Sequence, residues 1–366
     1  RFTLSGAAAN GTNDNRDAFR PLPPAQPITD RNAPRNATVI AIPIDNQMPM
    51  VQQWNLQLEQ RVDSKTTLSV GYVGNKADHL MTWFNLNNQM LNAPSGTSLY
   101  PGTGLIVKAG FASGIAHYDG LQTHLSRAFG TDLQYTVSYT WSHALDNSNG
   151  PFSVTGGGGR IFVLPGVGVD QHLNLGNSDQ DQRHVFTLAM LYELPFGHGK
   201  RFGADWCRSI DMLAGGWQWN NIVTLESGTP FDIAVNGNPA NRPDYLGTAH
   251  NGQQIRIASG IRWIDYSAFS SPPTNSAGVY IRPGTLGRNY FHGPGVHTWD
   301  MSLFKTFELN EKVKTQFRVE GYNILNTPQF TNPDANWSDG PSNFGIIRNT
   351  RAFSERQFQL ALRVLF

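Results

Sequence analysis

The stretch LQYTVSYTWS at residues 133–142 decides the fold. Leu133, Tyr135, Val137, Tyr139 and Trp141 are apolar or aromatic, while Gln134, Thr136, Ser138, Thr140 and Ser142 are polar. A helix would scatter these residues around its axis; a strand sorts alternate residues onto two faces. The segment is a strand with one apolar and one polar face.

The same pattern recurs on both sides of it. Upstream, Trp54, Leu56 and Leu58 oppose Gln53, Asn55, Gln57, Glu59 and Arg61. Leu68, Val70 and Tyr72 oppose Thr67, Ser69 and Gly71, and Leu121, Leu125 and Phe129 oppose Gln122, His124 and Ser126. Downstream, Phe186, Leu188, Met190, Tyr192 and Leu194 share a parity, and Trp217, Trp219, Val223 and Leu225 oppose Gln218, Asn220, Thr224 and Glu226. Trp299, Met301, Leu303 and Phe307 oppose Thr298, Asp300, Ser302 and Thr306, and Val313, Phe317 and Val319 oppose Lys314, Gln316, Arg318 and Glu320. The last segment sets Phe358, Leu360, Leu362, Val364 and Phe366 against Gln357, Gln359 and Arg363. That makes about nine strands. Lys305 and Asn221 break the pattern on apolar faces, and Phe304 breaks it on a polar one.

The connections separate a membrane barrel from a soluble sandwich. Short ones fall at 63–65, 130–131 and 310–312, with 195–216 a longer exception on that side. Long ones run over about 75–117, 145–182, 228–297 and 326–354. Tight turns on one side and long loops on the other mark outer-membrane barrels. A soluble sandwich spaces its turns more evenly, at about 8–12 residues.

Composition agrees. Charged residues are 15% of the 366, against about 25% in an average soluble domain. Polarity comes from Asn, Gln, Ser, Thr and 37 Gly, which suits strands and loops better than helices. A mean hydropathy of -0.37 is no obstacle, because alternating strands average out. No run approaches the roughly 18 apolar residues of a helical span. A net charge of +1 gives no reason to expect a nucleic-acid partner. Cys207 is the one cysteine, so neither an intrachain disulfide nor a Cys metal cluster is available. Residues 1–49, crowded with Pro21, Pro23, Pro24, Pro27, Pro34, Pro43 and Pro49, show no period and are expected to be an extracellular loop segment. With Arg1 first and no signal peptide, the chain reads as a fragment whose front end is missing, and residues 50–366 as the C-terminal part of the barrel.

If the short turns are periplasmic, chain order places Trp54, Tyr139, Trp141 and Trp299 in an outer aromatic ring. Phe129, Tyr192, Trp217, Phe307 and Phe366 then fall in an inner one. Two aromatic girdles emerge from an assignment made without aromatics.

Eight segments in this order resemble the Oar-like TonB-dependent transporters of the bacterial outer membrane. They are QQWNLQL at 52–58, VGYVGNKADHL at 70–80, YDGLQTHLSRAF at 118–129, YTVSYTWSHALDNSNG at 135–150, RHVFTLAMLYELPFGHGKRFG at 183–203, GGWQWNNIVTLESGTPF at 215–231, GRNYFHGPGVHTWDMSLFKTF at 287–307 and QFRVEGYNILNTPQF at 316–330. The resemblance implies an all-β, antiparallel 22-stranded barrel, of which this chain supplies strands 14 to 22. It also implies a plug domain in the missing N-terminal part, through which the TonB complex delivers energy. Implied partners are outer-membrane lipid, the barrel-assembly machinery and an unidentified solute or protein substrate. The apolar, aromatic-terminated strand Phe358, Leu360, Leu362, Val364 and Phe366 resembles the signal that assembly machinery recognises. No substrate-binding residue carries over from the family.

Several features invite a chemical reading that their context removes. Glycines 156–159 before Arg160 lack the Lys-Ser/Thr and the strand-to-helix setting of a phosphate cradle. His79, His117, His124 and His143 match no zinc spacing. Asp334 and Asp339 depart from the EF-hand pattern. Asp300, Lys314, Arg318 and Glu320 sit on polar faces, where lumen water, a plug or a solute meets them. No nucleophile–base or paired-carboxylate arrangement stands out, so neither catalysis nor a cofactor is expected. Energy-dependent transport leads the functional readings. A passive porin, or a secreted glycan-binding β-protein, is the alternative.

Overall fold

A computed structural model describes residues 2–6, 38–43, 46–85, 106–127, 132–147, 174–235, 242–247, 255–278, 280–308 and 313–366. In chain order the first elements are β1 (Phe2–Gly6), β2 (Thr38–Pro43), β3 (Met50–Arg61), β4 (Thr66–Asn85), β5 (Ile106–Arg127), β6 (Leu133–Asp146), β7 (Gly176–Asn177) and β8 (His184–Glu193). There follow α1 (Arg208–Ala214), β9 (Trp217–Glu226), β10 (Pro230–Phe231), β11 (Asp244–Tyr245), β12 (Ile255–Ile257), β13 (Gly260–Arg262), β14 (Phe269–Ser270) and β15 (Phe291–His292). The last four are β16 (Val296–Glu308), β17 (Lys314–Tyr322), β18 (Ile346–Ile347) and β19 (Gln357–Leu365).

Nine of these strands form a wall whose neighbours follow chain order: β3, β4, β5, β6, β8, β9, β16, β17 and β19, each pair antiparallel. They are the nine segments that alternation identifies. Among the described residues β3 pairs only with β4, and β19 only with β17, so the wall is open at both edges.

Register carries the two-faced pattern across the wall, because directly opposed residues point to the same side. One row runs Leu125, Val137, Leu188, Val223 and Trp299. Another runs Tyr192, Trp219, Leu303, Val319 and Leu360. A slip of one residue in any strand would break both rows. Other side chains of this face, on interior strands, have no protein over them: Leu121 is 38% exposed, Leu225 41% and Trp141 53%. A soluble sheet would cover such a face.

The first hairpin closes as expected at 63–65. Asp63 accepts from the amides of Lys65 (2.7 Å) and Thr66 (2.9 Å), an Asx-type turn. The turns at 130–131 and 310–312 lie outside the described residues, apart from their flanks.

Three expectations need correction. Residues 1–49 are not strand-free: β1 pairs with β2 antiparallel, and β2 lies parallel to the start of β5. The connection over 75–117 is shorter than its aperiodic sequence suggests. β4 and β5 reach 20 and 22 residues, about twice the 9–11 that cross a bilayer, so this pair projects well beyond the others. A bulge between Ala77 and Leu80, where His79 takes φ 59°, interrupts the period-two signal.

The third correction is the largest. The connections over 228–297 and 326–354 are not open loops; together they enclose the hydrophobic core. Phe231, Ile233, Ile261, Trp263, Ile264, Ala268, Phe269, Leu286 and Phe291 from the first pack with Phe344 and Ile347 from the second. Small sheets hold them: β10 with β15, β11 with β14, and β12–β13–β18, the last uniting both connections. Gly228 permits one close approach, since a Cβ there would overlap the Gly293 carbonyl oxygen.

Candidate functional site

Two arrangements have the character of a site: the polar face of the wall and the module built on its long-connection end.

On the polar face, β9, β16 and β17 bring Asn220, Asp300, Ser302, Phe304, Glu320 and Tyr322 around an open pocket of about 350 Å³. Asp300 accepts from the Asn323 amide at 2.8 Å, so one oxygen is held by backbone. Glu320 stands 4.0 Å from Arg318, whose Nε donates to Gln316 at 2.7 Å. The Arg318 guanidinium lies 4.5 Å from the Phe304 ring centroid, which explains the aromatic residue on a polar face. Strand alternation therefore brings Asp300, Arg318 and Glu320 together on one surface. Lys314, at the far end of β17, is opposed by Leu365 and stands apart from the pocket. No group of three His, Cys, Asp or Glu suited to a metal ion occurs among the described residues.

The opposite face carries the aromatic residues. Tyr139, Trp141, Tyr192, Trp217, Trp299 and Phe307 share it with Phe358, Leu360, Leu362 and Val364, as the pairings require. Trp54 lies over Gly74, where a Cβ would overlap its indole, and β3 register puts it on the same face. Phe129 and glycines 156–159 lie outside the described residues. Asn221 and Lys305, polar residues on this face, are both buried. Asn221 accepts from the Trp299 indole at 2.9 Å. Lys305 donates to the Asp211 carbonyl at 3.3 Å and to that of Gly215, with Trp217 and Phe307 rings beside it.

The module is anchored to the wall by polar contacts that sequence reasoning did not find. Buried Arg288 pairs with Asp146 at the end of β6 and reaches Asp179 at 3.6 Å. Buried Asn289 donates to Asp179 (2.7 Å) and to the Asn177 carbonyl (2.8 Å), and its amide donates to Asp232 (2.6 Å). Fully buried Asp181 accepts from the Ala144 amide at 2.7 Å and from Arg183 at 3.2 Å. Burial opposes ionisation of Asp181, but its bond to His292, the Ala144 amide and the charges of Arg183 and His143 prevail and hold its pKa below the usual value. Burial pushes Arg242 down to about 10 against the favourable charge of Asp232, so it stays cationic at neutral pH. Aromatic rings fill the interior: Phe291 meets Tyr245, Phe269 and Tyr290 at 5.1–5.7 Å. Tyr266 stacks on Trp337 at 5.0 Å. The result is a packed cap over the wall, built of three connections.

An antiparallel wall with an uncovered apolar face, a polar face and a rim of elaborate connections is that of an outer-membrane β-barrel. Residues 1–359 match the model of the outer membrane beta barrel domain, and the chain belongs to that family. No curated protein matches it by sequence. Among solved structures it is similar to the outer membrane transporter YddB from Escherichia coli, at 12% identity and a TM-score of 0.45, over 88% of this chain and 33% of that one. The FrpB iron transporter from Neisseria meningitidis is similar at 11% identity and a TM-score of 0.42, over 90% and 33%. The Escherichia coli ferric-catecholate import receptor Fiu is similar at 11% identity and 0.40, over 88% and 28%. This chain thus spans about a third of the length of those transporters.

Proposed function

We propose that this chain is the C-terminal wall and extracellular cap of a TonB-dependent outer-membrane transporter of the Oar-like type. The single observation that carries the reading is the wall itself. Its predominantly apolar face suits lipid, while its polar face, with Asp300, Arg318 and Glu320 beside a pocket, suits a hydrated lumen. The aromatic residues Trp54, Tyr139, Trp141 and Trp299 would sit at the outer interface and Phe129, Tyr192, Trp217, Phe307 and Phe366 at the inner one. The long connections are then extracellular and the short turns periplasmic.

Transport rather than catalysis is the role such a wall supports. Substrate capture falls to the folded cap, whose fixed shape presents a defined surface to an incoming solute or protein. Entry through the lumen would follow rearrangement of a plug driven by the TonB complex. The apolar alternation of β19 would be what the barrel-assembly machinery pairs with, by adding a strand edge to edge.

The experiment is a comparison of cells with and without TonB. The full-length gene is expressed, and growth on, or accumulation of, candidate substrates is measured in both backgrounds. Loss of uptake without TonB is the expected result. Uptake that persists undiminished would identify a passive porin instead.

A further inference from the structure

The segment 195–216, between β8 and β9, is far longer than a hairpin needs and is highly organised. The Leu194 amide closes it onto the Trp217 carbonyl (2.8 Å), the Gly197 amide donates to the Phe202 carbonyl at 2.9 Å, and the Asp211 carboxylate accepts from the His198 amide at 2.6 Å. Lys200 fastens it to the wall through Glu193 (2.8 Å) and Asp132 (3.1 Å). This hydrogen bonding to Glu193, then to Asp132, raises the pKa of Lys200 and keeps it charged.

Its side chains face the wrong way for a soluble turn. Ile210, Met212 and Leu213 of α1 are 51%, 54% and 72% exposed, and Phe196 and Phe202 are exposed beside one another with rings 5.8 Å apart. The helix position explains this. Its last carbonyls receive the ammonium of Lys305, and the Trp217 indole donates to Leu213 at 2.9 Å. Both donors belong to the apolar face of the wall. The helix therefore lies against the apolar band at its short-turn end, and its exposed apolar residues continue that band. Exposed Arg201 and Arg208 flank them.

We propose that 195–216 is an interfacial lipid anchor of the periplasmic leaflet. Phe196, Phe202, Ile210, Met212 and Leu213 enter the acyl boundary, and Arg201 and Arg208 meet phospholipid phosphates. This composition, apolar residues with cations beside them in one short segment that includes a helix, is that of elements lying in a membrane surface. Lys305 then has a defined purpose on an apolar face: its charge neutralises the carbonyl end of α1 and spares both an exposure to lipid. The proposal rests on the reading that the apolar face meets outer-membrane lipid.

The test uses full-length protein in vesicles of phosphatidylethanolamine and phosphatidylglycerol. An environment-sensitive fluorophore is attached at Leu213→Cys, with Cys207→Ser and any other cysteine removed, and a second preparation carries it at Val137→Cys. Leu213 is highly exposed, so the substitution leaves the fold intact. The expected result is blue-shifted emission at position 213, quenching by lipids brominated near the headgroup, and protection from aqueous iodide. Iodide quenching with no response to brominated lipid overturns the anchor. So does protection from both quenchers, which would place a protein partner there. If Val137 responds to lipid brominated near the chain end and Leu213 does not respond to lipid brominated near the headgroup, the anchor alone fails. If neither responds, the lipid reading of the apolar face fails with it.

Discussion

Removing one ring from the cap should loosen the cap without opening the wall. Phe291 is 1% exposed and touches three other aromatic rings. Truncation of a fully buried Phe to Ala costs about 3–5 kcal/mol, part of it from the cavity left behind. Each 1.4 kcal/mol is tenfold in an opening equilibrium, so the open population of the cap should rise roughly two to four orders of magnitude. Among the described residues Phe291 lies outside the wall, its strand β15 pairing only with β10. The assay is limited proteolysis of the full-length protein in outer-membrane vesicles, under conditions where cleavage follows the open population. Phe291→Ala should be cut within 228–297 far faster than the parent, while the barrel keeps its heat-modifiable migration. Phe353→Ala, at a site 88% exposed, is the control and should change little. Equal cleavage rates for Phe291→Ala and the parent would refute a packed cap.

Other outcomes follow from the same geometry. An impermeant thiol reagent on intact cells should label Ser271→Cys and leave Ser64→Cys untouched; the reverse would invert the topology. The cap should weaken in acid, because the folded-state pKa of Asp181 lies below its unfolded value. Its contribution is complete above about pH 4 and is lost as pH falls through the folded value. Proteolysis of the cap should accelerate over that range, and Asp181→Asn should flatten the response; an unchanged acid response in the variant contradicts it. Deleting Phe366 should lower the outer-membrane level and raise periplasmic degradation at constant transcript, whereas normal levels would leave that residue only an interfacial anchor.

The wall was legible because strand alternation is a local signal. Val137 and Ser138 differ in polarity for the same reason that they face opposite sides, and register then follows from the apolar parity. The apparent errors of the pattern were legible as errors but not as solutions. Nothing near Lys305 in sequence announces that Asp211 and Gly215 will receive its ammonium. The cap was illegible for a related reason. Its strands are two or three residues long, too short to show a period, and its core residues Phe231, Trp263, Phe291 and Phe344 come from distant points joined by pairing alone. One clue was present, in that 287–297 resembled the family over a stretch with no strand pattern. Arg288, Asn289 and His292 in that stretch turn out to fasten the cap to β6 and its following connection. In 1–49 the dense prolines masked two short strands whose partners lie in each other and in β5.

The most direct test of a wall between lipid and lumen is a pair of arginines at adjacent residues. Val137 is opposed by Leu125 and Leu188, and Ser138 by His124, with which it bonds at 3.0 Å, and by Thr187. The unfolding free energy of the full-length protein in phospholipid vesicles is measured by urea titration for both variants. Val137→Arg should lose about 2–4 kcal/mol, the cost of a cation near the bilayer midplane. Ser138→Arg should lose at most the hydrogen bond to His124, about 0.5–1.5 kcal/mol. Equal losses in the two variants, or a larger loss at Ser138, would contradict the assignment of faces on which the whole account stands.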